Sequence, residues 1–336
     1  MSEERLRLGV AGCGVISRLI FEECKGLDSI ELVAANDPDG SNLEKFASQF
    51  RVEIAESFET LMDRPDVDAV VLTAPPRVRF DQAKEAAGAG KAIFMEKPLA
   101  LSVAEGRELI EECHRKAVPL MVGHVLRYFP TYSRLAERVH AGDYGAPLAL
   151  QVTRCTTPFR GEARSPWRLS KASSGGLLFE LHVHEFDLAR HLCGDPERVF
   201  CVSNRVGVDT ETDYKDLYVG VIEFANDVLA NCHFSQVSAK PANQFTVVLE
   251  KGTVSANFQE ATQMLWGCGE EPIPLTGEDT EPPYRREIRL FSEAVLAGEP
   301  MPIPGEDGLW AVAMAESFEK AAETGQPVSV REVGGF

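Results

Sequence analysis

The chain has 336 residues, 44% hydrophobic and 26% charged, an ordinary globular composition with length enough for two domains. Its 34 basic against 52 acidic residues give a formal net charge of −18, which repels a phosphate backbone or an anionic membrane and excludes both as expected partners. No apolar run approaches a membrane span, and residues 1–7 lack the basic, apolar and small-residue succession of a signal peptide, so a cytoplasmic protein is expected.

From the N-terminus, short apolar runs alternate with helical patterns. Leu6–Ala11 predicts a strand, followed by a glycine turn and a helix over Val15–Lys25. Ile30–Ala35 is the next strand, Asn42–Phe50 and Phe58–Met62 are helices, and Ala69–Leu72 is a buried strand. A helix around Gln82–Ala89, a strand Ala92–Met95, a helix Val103–Lys116 and a strand Pro119–Val122 follow. This alternation predicts a parallel sheet with helices on both faces, and strands that are apolar throughout fit burial on both sides. Tyr128–Tyr132, with Pro130, reads as the crossover to a second domain.

Beyond about residue 145, Leu148–Thr153, Val199–Asn204, Asp216–Phe224, Val228–Phe234, Gln244–Leu249 and Thr253–Asn257 alternate with period two. Turn signals such as Ala225-Asn226-Asp227 and Lys251-Gly252 separate them, which predicts an antiparallel sheet. A helix over Gly176–Leu192 interrupts it, and helices over Arg286–Leu296 and Leu309–Glu323 close the chain. The expected fold is therefore α/β plus α+β: a Rossmann dinucleotide-binding domain over 1–125, then a domain over 126–336 with an open, mainly antiparallel sheet and helices. The eight cysteines, Cys268 among them, form no C-x-x-C pair and read as free thiols in a reducing compartment.

The turn after the first strand reads Gly12-Cys13-Gly14-Val15-Ile16-Ser17. Gly12 permits a tight strand-to-helix turn, and Gly14 lets the backbone approach a pyrophosphate at the helix N-terminus, where the N–H groups around Val15 and Ile16 point outward. Ser17 stands where a third glycine is usual, a position that needs only a small residue. The second strand ends at Asn36-Asp37, and Asp37 lies at the distance expected for the acid that binds the adenosine ribose 2′-OH. A carboxylate there repels a 2′-phosphate, so NAD is expected over NADP. After the strand Ala92–Met95 comes Glu96-Lys97-Pro98, at the strand end where ligands bind in such sheets.

Gly12-x-Gly14, Asp37, Thr73-Ala74-Pro75-Pro76, Gly90-Lys91 and Glu96-Lys97-Pro98-Leu99 follow one another in an order that resembles the Gfo/Idh/MocA family. So do Arg127-Tyr128-Phe129-Pro130, Trp167-Arg168 and Gly175-Gly176 leading to His184-x-x-Asp187, and the resemblance covers essentially the whole chain. The family takes its name from glucose–fructose oxidoreductase and inositol 2-dehydrogenase. The resemblance implies a second domain that binds substrate and packs its sheet against a counterpart, giving a homodimer or homotetramer. It also implies a sugar, cyclitol or related polyol substrate, no metal, and proton transfer by Lys97 and His184, with Asp187 and Glu180 as the accompanying carboxylates. Thr73, Pro75, Glu96 and Lys97 would join the glycine turn at the cofactor, and Arg127, Trp167, Arg168, Asp187 and His184 would meet the substrate. Arg79 departs from the family, standing where a histidine is frequent.

On a regular helix from Gly176, Glu180, His184, Asp187 and His191 fall four, three and four residues apart and share one face, a polar stripe on an otherwise apolar helix. Two other functions fit the same motifs. One is NAD-assisted glycoside hydrolysis or elimination, in which the sugar is transiently oxidised and the cofactor is regenerated. The other is a non-catalytic nucleotide or sugar sensor, against which the intact Lys97, His184 and Asp187 argue.

Overall fold

A computed structural model describes residues 5–161, 164–207, 209, 211–259, 262–267, 271, 273–274 and 281–336; Cys268 lies outside them. The chain forms β1 (Leu6–Ala11), α1 (Val15–Glu23), β2 (Ile30–Asn36), α2 (Gly40–Phe50), β3 (Glu53–Ile54), α3 (Phe58–Met62), β4 (Ala69–Leu72) and α4 (Pro76–Gly88). Then come β5 (Ala92–Glu96), α5 (Val103–Lys116), β6 (Leu120–Gly123), a 3-10 turn (Val125–Tyr128), α6 (Pro130–Ala141), β7 (Pro147–Cys155), α7 (Pro166–Leu169) and α8 (Lys171–Ser174). A π-helical turn (Leu178–His182) leads into α9 (Val183–Cys193), followed by β8 (Pro196–Asn204), β9 (Leu217–Phe224), β10 (Leu229–Ser235), β11 (Ala242–Leu249), β12 (Gly252–Asn257), β13 (Thr262–Gly267) and β14 (Ile273–Pro274). The last elements are α10 (Pro283–Ala297), α11 (Gly305–Thr324), β15 (Val328–Ser329) and α12 (Val330–Gly334).

Two compact units result, one of residues 1–125 with 281–309, the other of 126–280 with 310–336. This division differs from the expected 1–125 and 126–336, because the segment 281–309 belongs with the first unit. There the Phe291 ring of α10 meets Phe94 of β5 edge-on at 5.7 Å, Ser292 bonds Ser29 at 2.7 Å, and Arg285 donates to the Lys25 carbonyl at 2.8 Å.

The first unit's sheet has the order β3-β2-β1-β4-β5-β6, with every described pair parallel. Residues 69–72 and 92–96 are buried without exception, as strands covered on both faces require. The order reverses between β1 and β4, the switch point at which such sheets bind ligands. Helix α4 starts six residues before the expected Gln82, at Pro76, whose missing N–H costs nothing in a first turn. Its buried face includes Arg79, and that charge obscured the apolar period.

The second unit's sheet runs β14-β13-β12-β11-β7-β10-β9-β8-β15, antiparallel except for the parallel β7–β10 pair. Its inner face holds Val152, Ile222, Cys232, Phe234, Phe245 and Val247, while Phe200, Val202, Val219, Val221, Leu229 and Val248 stay exposed on the other. The expected crossover at Tyr128–Tyr132 is instead the 3-10 turn and the start of α6, in which Tyr132, Leu135, Ala136 and Val139 are buried at helical spacing. Among the described residues no helix is long and apolar enough to cross a membrane.

Candidate active site

At the end of β1 the two glycines serve opposite needs. Gly12 has φ +91°, and a Cβ on it would lie 2.6 Å from the Ala74 backbone nitrogen and 2.9 Å from Thr73. The Thr73 hydroxyl donates to the Gly12 carbonyl at 2.6 Å, so this turn is packed against the end of β4. At Gly14 a Cβ would meet nothing within 4 Å, and α1 begins there without a side-chain cap. Open space beside the uncapped N–H groups of a nine-residue helix is what an approaching pyrophosphate needs, so the turn fits a dinucleotide. Ser17 is fully buried and donates to the Gly14 carbonyl at 3.1 Å.

Asp37, just past β2, accepts from the Cys13 N–H at 2.6 Å and the Asp39 N–H at 2.8 Å, which ties the acid to the glycine turn. Burial, together with the Asp37 charge, pushes the Cys13 thiol up to about 12, so it stays protonated.

At the ends of β4 and β5, Arg79 is 3% exposed and donates at 2.7 Å to both the Ala74 and Pro98 carbonyls. It braces the turn holding Thr73 and Pro75 against the turn holding Lys97. Glu96 is buried and accepts from the Lys97 N–H at 3.2 Å; Lys97 is half-buried and its bond to Pro98 is cis. Tyr284, at the start of α10, is pushed well above the ordinary phenol range by burial and by the charges of Glu96, Glu287 and Glu23. It therefore stays a neutral hydroxyl in the surroundings of Glu96.

In the second unit the single regular helix expected from Gly176 is not formed. The turn over Leu178–His182 is π-helical, with bonds closing over five residues instead of four, and the α-helix begins at Val183. Glu180 falls within the π turn, so only His184, Asp187 and His191 lie on the regular α-helix.

Asp187 is buried and accepts two N–H groups of Arg127, Nε at 2.8 Å and Nη2. Glu180 accepts from Arg168 Nε at 2.8 Å. The Arg168 guanidinium lies 4.7 Å from the Trp167 ring centroid and 5.4 Å from that of Phe159. His184 is half-buried in the first turn of α9. His191 packs edge-on against His140 at 4.8 Å, and the His140 ring donates to the His191 carbonyl at 2.8 Å.

Beneath the helix, Glu185 is fully buried between Arg154 of β7 at 3.0 Å and His182 at 3.1 Å, and the His182 ring stacks on Phe234 at 4.3 Å. Burial pushes the Glu185 carboxyl up, but the Arg154 charge and the His182 hydrogen bond outweigh it and hold the group below the usual range. Among the described residues, no three His, Cys, Asp or Glu side chains are grouped to hold a metal ion.

A Rossmann turn fitted for a dinucleotide, followed by a unit with a histidine-bearing polar helix on a mainly antiparallel sheet, can be compared with known proteins. The model of an oxidoreductase family with an NAD-binding Rossmann fold matches residues 6–124, and the model of the Gfo/Idh/MocA C-terminal domain matches 132–255. The chain belongs to the Gfo/Idh/MocA oxidoreductase family.

This Gfo/Idh/MocA member is 29% identical to myo-inositol 2-dehydrogenase of Thermotoga maritima over 340 residues, covering 98% of this chain and 100% of that one. It is 26% identical over 305 residues to 2,7-anhydro-N-acetylneuraminate hydratase of Escherichia coli, covering 88% and 80%. The crystal structure of an aldose-aldose oxidoreductase from Caulobacter crescentus, complexed with glycerol, aligns with TM-score 0.86 and 25% identity over 97% of this chain and 100% of that one. The expectation of an oxidoreductase with an NAD-binding Rossmann fold is met.

Sequence reasoning about this family member passed over three groups. Arg79 was noted only as a departure; its alanine-rich helix, with a lone arginine on the buried face, was the available signal. Phe159 carried no signal, because its contact with Arg168 depends on the path of the intervening loop. The Arg154–Glu185–His182 cluster joins β7 to α9, and neither composition nor spacing pairs residues that far apart.

Proposed function

We propose that the protein is an NAD-dependent dehydrogenase of a sugar, cyclitol or related polyol. His184 takes the proton of the substrate hydroxyl and Lys97 steadies the developing alkoxide. Bound NAD supplies the hydride acceptor, at C4 of its nicotinamide. Asp37 serves the adenosine ribose and disfavours a 2′-phosphate, so NAD is preferred to NADP, and Glu96 bonds ribose hydroxyls. Asp187, held by Arg127, orients substrate hydroxyls.

The observation that carries this reading is His184: a half-buried imidazole in the first turn of α9, between two carboxylates in the chain, Glu180 and Asp187, each met by an arginine. The similarity to a myo-inositol 2-dehydrogenase and to a glycerol-bound sugar oxidoreductase supports a polyhydroxylated substrate. The exposed face of the second sheet supports self-association: Val221 pairs with Phe200, and Val219 with Val202, across β8 and β9 to form an apolar patch. A cytoplasmic homodimer or homotetramer follows from this reading.

The test is NADH absorbance with NAD or NADP and a panel of cyclitols, aldoses, uronic acids and glycosides, with His184→Ala alongside. A rise with NAD that falls by about 10²–10⁴-fold in the variant is expected. A rise that survives in the variant removes His184 from proton transfer. The hydratase relative favours a second reading, in which NAD is reduced and reoxidised within one cycle. Product formation that requires NAD, without net NADH, would select it.

A further inference from the structure

Trp167 and Arg168 belong to α7, which leads directly into α8; each helix has four residues, and of their side chains only that of Ser174 is buried. Helices this short have no stability of their own, and these two have no buried apolar side chain to dock them. Their place is set by polar bonds, and beside the Arg168–Glu180 pair the loop between β8 and β9 supplies several. Asp213 accepts from the Lys171 N–H at 2.5 Å and donates its own N–H to the Leu169 carbonyl at 3.2 Å. Ser170 Oγ donates to its second carboxylate oxygen at 3.4 Å. The next residue, Tyr214, holds the far end of the same segment. A Cβ on Gly176 would lie 3.2 Å from the Tyr214 Cβ, and the Tyr214 hydroxyl donates to Gln236 Oε1 at 3.3 Å.

Asp213 is exposed, where carboxylate oxygens ordinarily belong to water. Thr212 and Tyr214 on either side of it are 2% and 4% exposed, so its backbone is already fixed and the bond to Lys171 costs little further ordering. Asp216 closes the neck of the loop, accepting from the Val206 and Gly207 N–H groups at 2.7 and 2.8 Å.

We propose that Asp213 is a positioning residue: it holds the α7–α8 segment from the β8–β9 loop, and so sets how well Trp167 and Arg168 receive the substrate. The inference rests on the polyol dehydrogenase reading, with Trp167 and Arg168 at the substrate. Releasing the Lys171 amide leaves both side chains in the protein but takes away their place, which costs binding. His184 stands on α9, which Glu185 ties to Arg154 of β7, so it keeps its own anchor when α7–α8 is released.

The experiment uses the whole protein with NAD and a neutral substrate from the panel. Asp213→Ala should raise KM about tenfold, with kcat within about threefold, the pH profile in place and the Kd for NAD unmoved. Asp213→Asn keeps an oxygen for the Lys171 N–H and should return KM to within about threefold of the parent. The bond can also be cut from its other side. Lys171 opens α8 and Ser170 before it is extended, both of which suit a proline, so Lys171→Pro removes the N–H without breaking the helix. It should raise KM as Asp213→Ala does, and the double variant should raise it no further. Lys171→Ala, which loses only the 3.0 Å pair with Glu319, should stay near the parent.

An unchanged KM in Asp213→Ala would overturn the inference, and so would a fall in kcat with KM in place. A loss in Asp213→Asn as large as in Asp213→Ala would also overturn it, because charge and not the bond would then be at work. Should Asp213→Ala fail to fold, an equal KM in Lys171→Pro and Lys171→Ala refutes the hold by itself. If no polyol is oxidised, the dehydrogenase reading fails separately, and hydrogen exchange over residues 167–174 decides the positioning. Faster exchange in Asp213→Ala but not in Asp213→Asn supports it, and any other pattern refutes it.

Discussion

The two units carry their chemistry in different material. In the first, the glycine turn is backbone: Gly12 is wedged against Thr73 and Ala74, Gly14 faces open space, and α1 begins uncapped. In the second, the polar groups around His184 are side chains in ion pairs: Arg127 with Asp187, Arg168 with Glu180, and Arg154 with Glu185. A backbone site fails when an atom is added, whereas a buried pair fails when one is taken away and its partner's charge is left without compensation.

The largest effect should follow from taking one away. Asp187→Asn removes the charge that Arg127 meets, in a pair whose arginine side chain is only 10% exposed, and should lower the unfolding free energy by about 3–5 kcal/mol in denaturant titration. An equally stable variant would break the contrast between the units. Adding an atom separates the glycines. Gly12→Ala places a methyl 2.6 Å from the Ala74 nitrogen at φ +91°, and should cost about 1–3 kcal/mol from backbone strain before the clash is counted. Gly14→Ala should leave the melting temperature in place and raise the Kd for NAD about tenfold or more in calorimetric titration. If the second variant binds NAD as the parent does, the open space at Gly14 is not the pyrophosphate's.

A smaller change is expected at Asp37. Asp37→Ser removes the charge that repels a 2′-phosphate and should move the NADP-to-NAD ratio of kcat/KM by about tenfold toward NADP, so an unmoved ratio would detach Asp37 from the ribose.

The smallest is a slope. Because the folded-state carboxyl of Glu185 lies below its ordinary value of 4.5, its contribution to stability is complete at neutral pH. It fades as the pH falls through 4.5 toward the folded value, where the unfolded chain takes up the proton first. Glu185→Gln should flatten that acid limb in denaturant melts run from pH 6 downward, and an unchanged slope would mean the pair is not charged in the folded protein.

Much of the first unit was legible because its requirements are local. The motif Gly12-x-Gly14, the buried Ser17 and the acid at Asp37 fall within one strand–turn–helix–strand segment, where backbone angle, space and side-chain size are set by near neighbours. Helix α6 was not read from the sequence: Tyr128–Tyr132, with Pro130, reads as a crossover, although proline is well placed in a helix's first turn and Tyr132, Leu135, Ala136 and Val139 carry the helical spacing. The helix that bears His184 was only half legible. Its polar residues stood out against an apolar sequence, yet their arrangement assumed 3.6 residues per turn throughout.

By itself, then, the sequence determined the alternation of elements, the two kinds of sheet and the residues of the glycine turn, because periodicity and backbone freedom are properties of short segments. Tertiary structure decided the rest. It placed 281–309 with the first unit through Phe291, Ser292 and Arg285, and set β7 parallel to β10. It also holds a π turn at Leu178–His182, where His182 lies on Phe234 and bonds Glu185, itself paired with Arg154. Those partners come from β7, β10 and α9, so the turn depends on packing between distant segments, which no local pattern encodes.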